Sequence, residues 1–431
     1  MAVAGNFEVI RDPLWNNIRV DADALRVVDS VPFQRLRYIR QLGHAYLVYP
    51  GATHTRFEHA LGTYHLARRA LTLLAERGEL GGIPAEESTL VGLAALLHDI
   101  GHYPFSHTLE EAGLPSHETI TRQQFGHPEL SAALAGFGVG SVEQRVEQLI
   151  RGTSGSALQG LISGSLDLDK IEYLTRDARM CGVPYGTVDV DRLIHSLTVV
   201  TGPDGARTIG VHEKGVSALE SLLFAKYQMY RNVYWHHAVR SATVMFKRLV
   251  RTAIARGELD AAWIPDSTDE ALMEAVGAVR DRELAERLRG RQLYKRALDL
   301  RATEVPAGAG EWIAREPDLT ERVEDRLASE LGLEPGELLL DYPAKHAMLA
   351  VDLPLLLRDG RVTSLADEEN TGLLTIERVA DELHMGARHL RVFVAEPTVL
   401  DRRAVLALVE RSAAEVAAAL EDRGPLLAVR G

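Results

Sequence analysis

Between Ala94 and His117 the chain reads Ala-Ala-Leu-Leu-His98-Asp99-Ile-Gly-His102-Tyr-Pro-Phe-Ser-His107, followed by Glu110 and then Ser-His117-Glu. These four histidines and their acids follow a run of small and aliphatic residues (Leu90, Val91, Leu93, Ala94, Leu96, Leu97) with the pattern of a buried helix, so the imidazoles sit where that helix ends. Nine of the 16 histidines lie between His44 and His127, where an even spread would put about three. Neutral imidazole binds borderline divalent metals, and carboxylates extend that preference toward harder ions such as Mn²⁺, Fe²⁺ and Mg²⁺. A metal site is the first expectation.

Several elements must position such a site. Alternation and the turn signals Asp12-Pro13 and Asn16-Asn17 predict a hairpin over 7–20, then a helix over 22–29. The stretch 31–43 opens with Pro32, closes on Gly43 and reads as a helix whose arginines 35, 37 and 40 form a solvated face on the bland reading. Thr53 or Thr55 caps a helix running through Phe57, Leu61, Tyr64 and Leu66 toward Leu74, with Arg56 and His59 on one face. His107 and Glu110 also share a helical face, and His117 follows a Leu-Pro-Ser loop. A short helix is expected near 142–150 between Gly/Ser linkers.

On a helix over 166–178, Asp169, Tyr173, Arg176 and Asp177 form one polar stripe, while Leu168, Ile171 and Leu174 anchor it. A solvated stripe is the bland alternative. Asp169 favours the other reading, because a metal site assembled from several helices needs a ligand far in sequence from the histidines. A hairpin over 197–211 precedes one long helical pattern over 216–251, in which Lys226, Tyr230 and Tyr234 are spaced by four. They suit a triphosphate tail and a base or sugar, and core packing of the tyrosines is equally natural. The region 269–301 is charged and helical, and Pro306-Ala-Gly-Ala-Gly marks a boundary. Beyond it a helix near 320–330, strands at 347–352, 373–376 and 390–394, and a final helix over 401–421 make a small α+β region whose default role is packing or assembly.

Composition narrows the function classes. The 431 residues are 46% hydrophobic and 25% charged, ordinary for a globular chain large enough for two or three domains. No apolar run approaches the roughly 18 residues of a membrane span and the N-terminus lacks a signal-peptide pattern, so a cytoplasmic protein without membrane partners is expected. Cys181, the single cysteine, excludes an intrachain disulfide and a thiolate metal cluster. The net charge of −13 argues against nucleic acid as a partner, yet a few local cations and a metal suffice to hold a small triphosphate.

Five strings together are similar to one family: Asp-Pro at 12–13, Phe-Gln-Arg-Leu-Arg-Tyr-Ile-Arg-Gln-Leu-Gly at 33–43, Arg-Phe-Glu-His-Ala-Leu-Gly at 56–62, Leu-Leu-His-Asp-Ile-Gly-His-Tyr-Pro-Phe-Ser-His at 96–107 and Asp-Lys-Ile-Glu-Tyr-Leu-Thr-Arg-Asp at 169–177. Over roughly residues 7–250 the chain resembles the HD-domain phosphohydrolases. Within them it resembles the deoxynucleoside triphosphate (dNTP) triphosphohydrolases, the branch of the vertebrate SAM-and-HD-domain enzyme and its bacterial relatives without a SAM domain. The resemblance implies a mainly α fold: an HD-domain helical core with short hairpins and a helical extension over 1–305, and a small α+β region over 306–431.

It also implies roles. His59, His98, Asp99 and Asp169 would ligate a divalent metal (Mn, Fe, Mg, Zn or Ni), and His102, His107, Glu110 and His117 would surround the α-phosphate and the attacking water. Arg56, Lys170 and Lys226 would hold phosphates. Gln41, Leu42, Tyr173 and Asp177 would face the sugar, with Tyr173 and Asp177 excluding a 2′-hydroxyl and binding the 3′-hydroxyl, and Tyr230 and Tyr234 would lie near sugar or base. The implied reaction releases a deoxynucleoside and inorganic triphosphate, in a homo-oligomer. The alternatives are an HD phosphohydrolase of deoxynucleoside monophosphates or of a guanosine polyphosphate, and a nucleotide sensor or assembly module with little turnover. Two departures stand out. Glu110 replaces an Asp of the vertebrate pattern and still reaches His107. Glu8 replaces a Lys that touches a regulatory nucleotide, which argues against an activating nucleotide although Asp29, Gln34 and Arg37 are retained.

Overall fold

The computed structural model describes residues 7–202, 205–280, 282–344, 353–365, 385–422 and 424–427. The chain opens with an antiparallel hairpin of β1 (Phe7–Asp12) and β2 (Asn16–Asp21), closed by Asp12, whose Oδ1 accepts from the amides of Leu14 (2.8 Å) and Trp15 (2.7 Å). Helix α1 (Ala22–Val28) follows, and α2 (Val31–Arg35) stops after five residues instead of reaching Gly43. Arg35 turns inward there, and the extended backbone at Ile39 lets Arg40 bridge to Thr55.

Two helices form the frame of the site. Helix α3 (Arg56–Glu76) starts where the Glu58 carboxylate accepts from the Thr55 amide (2.6 Å) and hydroxyl (3.0 Å). Helix α4 (Ala85–Leu97) is buried all round from Leu90 to Leu97, as an evenly apolar helix must be. Burying each of its Leu and Val side chains contributes about 1.5–3 kcal/mol. Short helices α5 (Thr108–Glu111) and α6 (His117–Phe125) follow, and His117 opens α6 directly after the Leu-Pro-Ser loop. Then come α7 (Pro128–Ala135), α8 (Val142–Ile150), α9 (Leu168–Cys181) and α10 (Val190–Ser196).

The hairpin of β3 (Leu197–Thr201) and β4 (Arg207–His212) leads into α11 (Val216–Met229). The long helix expected over 216–251 is interrupted by a wide π-turn at Tyr230–Tyr234 before α12 (His237–Ala255) resumes. The interruption frees Tyr234 to bond Asp177 on α9. The charged segment after α12 divides into α13 (Asp269–Gly277), α14 (Glu283–Arg289) and a strand, β5 (Lys295–Arg301), where helix was expected. Periodicity misleads there because β5 is an edge strand with charged residues on its open face.

Beyond α15 (Trp312–Arg315) and α16 (Pro317–Glu330) come β6 (Leu338–Asp341), β7 (Pro354–Leu356), β8 (Val362–Ser364) and β9 (His389–Val394). The sheet β5-β9-β6 draws strands from both sides of Pro306, and β7-β8 extend the β3-β4 hairpin. The expected strands at 347–352 and 373–376 lie outside the described residues. The final helix is two, Arg402–Val409 and Ala413–Glu421, because Ser412 caps a new start. Among the described residues no helix is long and apolar enough to cross a membrane.

Three cores result. The first holds α3, α4, α9 and α11, the second joins α12 to Tyr103, Phe105, Leu109 and Ile120, and the third lies between α16, the β5-β9-β6 sheet and the terminal helices. His98 therefore ends a helix of the first core, while the chain from Tyr103 to Leu109 roots in the second.

Candidate active site and metal centre

His59 from α3, His98 and Asp99 from the end of α4, and Asp169 from α9 converge. His59 Nε2 lies 3.0 Å from His98 Nε2 and 3.0 Å from Asp169 Oδ1; His98 Nε2 lies 3.5 Å from Asp169 Oδ1; Asp99 places one oxygen 3.5 Å from each imidazole. The other ring nitrogens assign the tautomers. His59 Nδ1–H donates to Glu172 Oε2 (2.6 Å) and His98 Nδ1–H to the Ala95 carbonyl (2.9 Å), so the neutral form of each imidazole would present its Nε2 lone pair to a metal.

Two imidazoles and the Asp169 carboxylate facing one another at 3.0–3.5 Å, with Asp99 3.5 Å from each imidazole, need a shared proton or a metal cation between them. That spacing is what neighbouring ligands adopt around an ion with bonds of about 2.1 Å. The residues fit a divalent metal. Burial opposes positive charge at His59, but Asp169, Glu172 and Asp99 outweigh it and raise the imidazole to about 10. Asp169 and Asp99, despite burial, are held well below the usual carboxylate range by His59 and His98 and by Arg56 respectively.

The cage has a buried support. Glu172, fully buried, also accepts from Trp15 Nε1 (2.9 Å) and from Arg176 Nε (2.8 Å), and Arg176 reaches Asp12 (3.0 Å) in the hairpin turn. Gly62 on α3 is glycine because a Cβ there would stand 2.0 Å from Glu172 Oε1. Sequence reading missed this network, although Glu172 and Asp12 lie inside the quoted motifs. The signal was the acid three residues after Asp169, one helical turn away. Arg176 is fully buried and Asp177 nearly so, which excludes the solvated-stripe reading of α9.

Asp99 links the cage to a second cluster. His102 Nε2 lies 3.1 Å from Asp99 Oδ1, and burial together with Arg56 and His117 holds the His102 imidazole well below its usual range, hence neutral. Its ring stacks on His117 at 4.1 Å. Glu110 accepts from His117 Nδ1 (2.6 Å), the His117 amide (3.0 Å) and His107 Nδ1 (3.2 Å). Burial would raise Glu110, but these histidines outweigh it and keep the carboxylate ionised. The longer Glu therefore spans both histidines.

The connecting loop is strained. Phe105 and Ser106 occupy the left-handed region at φ 57° and 58°, a cost of order 1–3 kcal/mol each. It is held by Asp269, whose Oδ1 accepts from the Phe105 amide (2.8 Å) and Oδ2 from the Arg40 amide (3.0 Å), and by Ser106 Oγ, which donates to the carbonyls of Arg40 (2.9 Å) and Gln41 (3.1 Å). Arg35 is no solvated arginine. It is buried and donates to the carbonyls of His102 (2.8 Å), Ile100 (3.3 Å) and Ser267 (3.0 Å).

The remaining expected residues line up beside the cage. Arg56 pairs with Asp99 and donates to Ser106 Oγ (3.1 Å), so its guanidinium is already engaged by the Asp99 carboxylate. Lys170 donates to the Gly164 carbonyl (2.9 Å) and pairs with Asp167. Lys226 is buried near it, and burial together with the Lys170 charge lowers its ammonium to about 8. Asp177 accepts from Tyr234 (2.7 Å) and bonds His54 (2.7 Å), and the Tyr234 ring meets Tyr230 at 4.9 Å and Tyr173 at 6.4 Å. Gln41 Oε1 is buried with no partner among the described residues, and Leu42 is half-buried beside it.

This architecture contains an HD domain. Residues 56–164 match the HD domain and residues 188–374 the HD-associated region, so the chain carries both. It is 40% identical over 289 residues to an uncharacterized protein of Methanocaldococcus jannaschii, covering 67% of this chain and 59% of the relative. It is 30% identical over 263 residues to the deoxynucleoside triphosphate triphosphohydrolase SAMHD1 of Homo sapiens, covering 53% of this chain and 42% of that protein. The chain thus spans about half the length of such relatives. A hypothetical protein from Aquifex aeolicus superposes with TM-score 0.70 at 29% identity, covering 90% of this chain and 96% of that one. A phosphohydrolase from Bacteroides thetaiotaomicron shares the fold with TM-score 0.70 at 23% identity, over 90% and 100% of the two chains.

Proposed function

We propose that the protein hydrolyses dNTPs to the deoxynucleoside and inorganic triphosphate, using a divalent metal held by His59, His98, Asp99 and Asp169. Bound there, the ion would neutralise phosphate charge and polarise a phosphoryl oxygen. The observation that carries the substrate class is Lys226: buried, beside Lys170, and without a hydrogen bond or close ion pair among the described residues. Two ammonium groups brought together in a low-dielectric cleft are stabilised by an anion of several charges.

In this reading Lys170 and Lys226 hold the triphosphate tail, while Asp177 and the Tyr173–Tyr230–Tyr234 cluster face the sugar and base. Glu110 fixes the Nδ1–H tautomer of His117, leaving its Nε2 free to take a proton from water or deliver one to the leaving 5′-oxygen. His107, on the same carboxylate and open to solvent, exchanges that proton with bulk water. The similarity to the human triphosphohydrolase supports the same reading.

Incubation of the purified protein with Mn²⁺ and each dNTP, alone and as a mixture, tests it by chromatography. Deoxynucleoside plus inorganic triphosphate is the expected result. Monophosphate products would move the attack to another phosphorus, and no product from any dNTP would overturn the proposal.

A further inference from the structure

Glu110 stands on α5, which is four residues long and too short to hold itself in register by its own hydrogen bonds. What fixes it is the next residue. Glu111 takes a bidentate pair from Arg240 on α12, Nη1 to Oε1 at 3.0 Å and Nη2 to Oε2 at 2.8 Å, with Lys247 at 3.4 Å. Arg240 is buried and is itself held by Asp341 at the end of β6, through Nη2 to Oδ1 at 2.7 Å and Nε to both oxygens at 3.1 and 3.2 Å. Asp341 continues to Arg391 on β9 (3.6 Å), which reaches Asp299 on β5 (3.6 Å), and Asp299 bonds His389 (2.6 Å). One file of charges thus crosses the whole C-terminal sheet and ends one residue from the carboxylate that orients His107 and His117.

We infer that Glu111 is a positioning residue, and that through the Glu111–Arg240–Asp341 network the C-terminal sheet sets the placement of Glu110 and with it the His107–His117 pair. A planar guanidinium forked onto one carboxylate and anchored by another constrains direction as well as distance. The cage needs no such help, because none of its four ligands lies on α5. The C-terminal region would then be part of the active site's alignment and not only a packing unit. The inference rests on the triphosphohydrolase reading for its kinetic consequence, but its geometry is separate from the substrate.

Glu111→Ala in the full chain tests it, since Arg240 keeps both Asp341 oxygens and no buried charge is orphaned. Three readouts are taken: side-chain ¹⁵N signals of His117, Mn²⁺ affinity, and kcat and KM for dNTP. The expected result is displaced His117 signals, Mn²⁺ affinity within about twofold of the parent, and kcat lowered about 10- to 100-fold with KM little changed, with Glu111→Gln intermediate. Unmoved His117 signals with unchanged kcat would overturn the inference. So would parallel loss of Mn²⁺ affinity and histidine signals in both variants, which marks a general structural role. If the parent hydrolyses no dNTP, the proposed function fails, and the His117 signals and Mn²⁺ affinity still decide this inference.

Discussion

His59 is fully buried, sits on a 21-residue helix, and has its second nitrogen fixed by Glu172, which Trp15 and Arg176 hold in turn. The His107 side chain is 59% exposed and touches Glu110 at 3.2 Å on a helix of four residues. The two belong to one site yet are rooted in different cores, the cage in the first and the His102–Glu110 loop largely in the second. Closely spaced imidazoles and carboxylates that would hold a metal need walls that do not relax. In the proposed mechanism the proton-transfer group must meet solvent and rotate, and His107 is held by one carboxylate at a helix end. Removing cage residues should therefore erase function outright, and removing cluster residues should slow chemistry while leaving metal bound.

The largest effect is expected from Asp169→Ala. It removes a negative ligand from between two imidazoles, and Mn²⁺ binding measured by calorimetry should fall below detection together with any hydrolysis. A variant that bound Mn²⁺ normally would dissolve the assignment of the cage. Glu110→Gln comes next: Mn²⁺ affinity should persist while kcat drops about 10²- to 10⁴-fold, the range of a lost proton-transfer group. If metal affinity fell with it, the separation of cage and cluster would be wrong. Glu172→Gln sharpens the comparison from the other side. It leaves every ligand in place but weakens the acceptor of His59 Nδ1–H, and a 10- to 100-fold loss of Mn²⁺ affinity is expected.

Much of the cage was legible from the sequence because its residues lie in short strings: His98-Asp99 after an evenly apolar helix, His59 one turn from Arg56, and Asp169 on an amphipathic segment. The C-terminal strand at 390–394 was legible as an apolar run bounded by turns, and the structure places β9 at His389–Val394. What stayed hidden depends on partners distant in sequence. Nothing local distinguishes Arg35, which caps loop carbonyls, from a solvated arginine, and Arg176 looked like part of a surface stripe until Glu172 and Asp12 surrounded it. The break at Tyr230–Tyr234 was hidden for the same reason, since a helical repeat of four persists through it while Tyr234 is drawn to Asp177 across 57 residues. Asp269 and Arg240 carry no motif at all, because their roles are to join segments that meet only after folding.

The smallest expected effect lies at Lys226, beside Lys170, and it has a pH signature. Lys226 stands near 8 instead of its ordinary 10.5 because burial and the neighbouring Lys170 disfavour its charge. In the free protein the charge is present below about pH 8 and is lost above it, whereas a bound triphosphate raises the ammonium again. KM for dNTP should therefore be lowest below pH 8 and climb as pH passes through 8 to 9, with kcat nearly level over that window. Lys226→Ala should raise KM about tenfold at pH 7 and flatten the climb, as one charge–phosphate contact of about 1.4 kcal/mol would. Lys226→Arg, which stays charged at all these values, should bind at pH 9 as it does at pH 7. Stability runs the opposite way. Between pH 8 and 10.5 the unfolded chain holds a proton on this lysine that the folded one has released, so the free protein gains stability as pH rises through that window. A KM that stays flat to pH 9 in the parent would mean that Lys226 does not face the phosphates, and the two-lysine argument for a triphosphate substrate would lose its support.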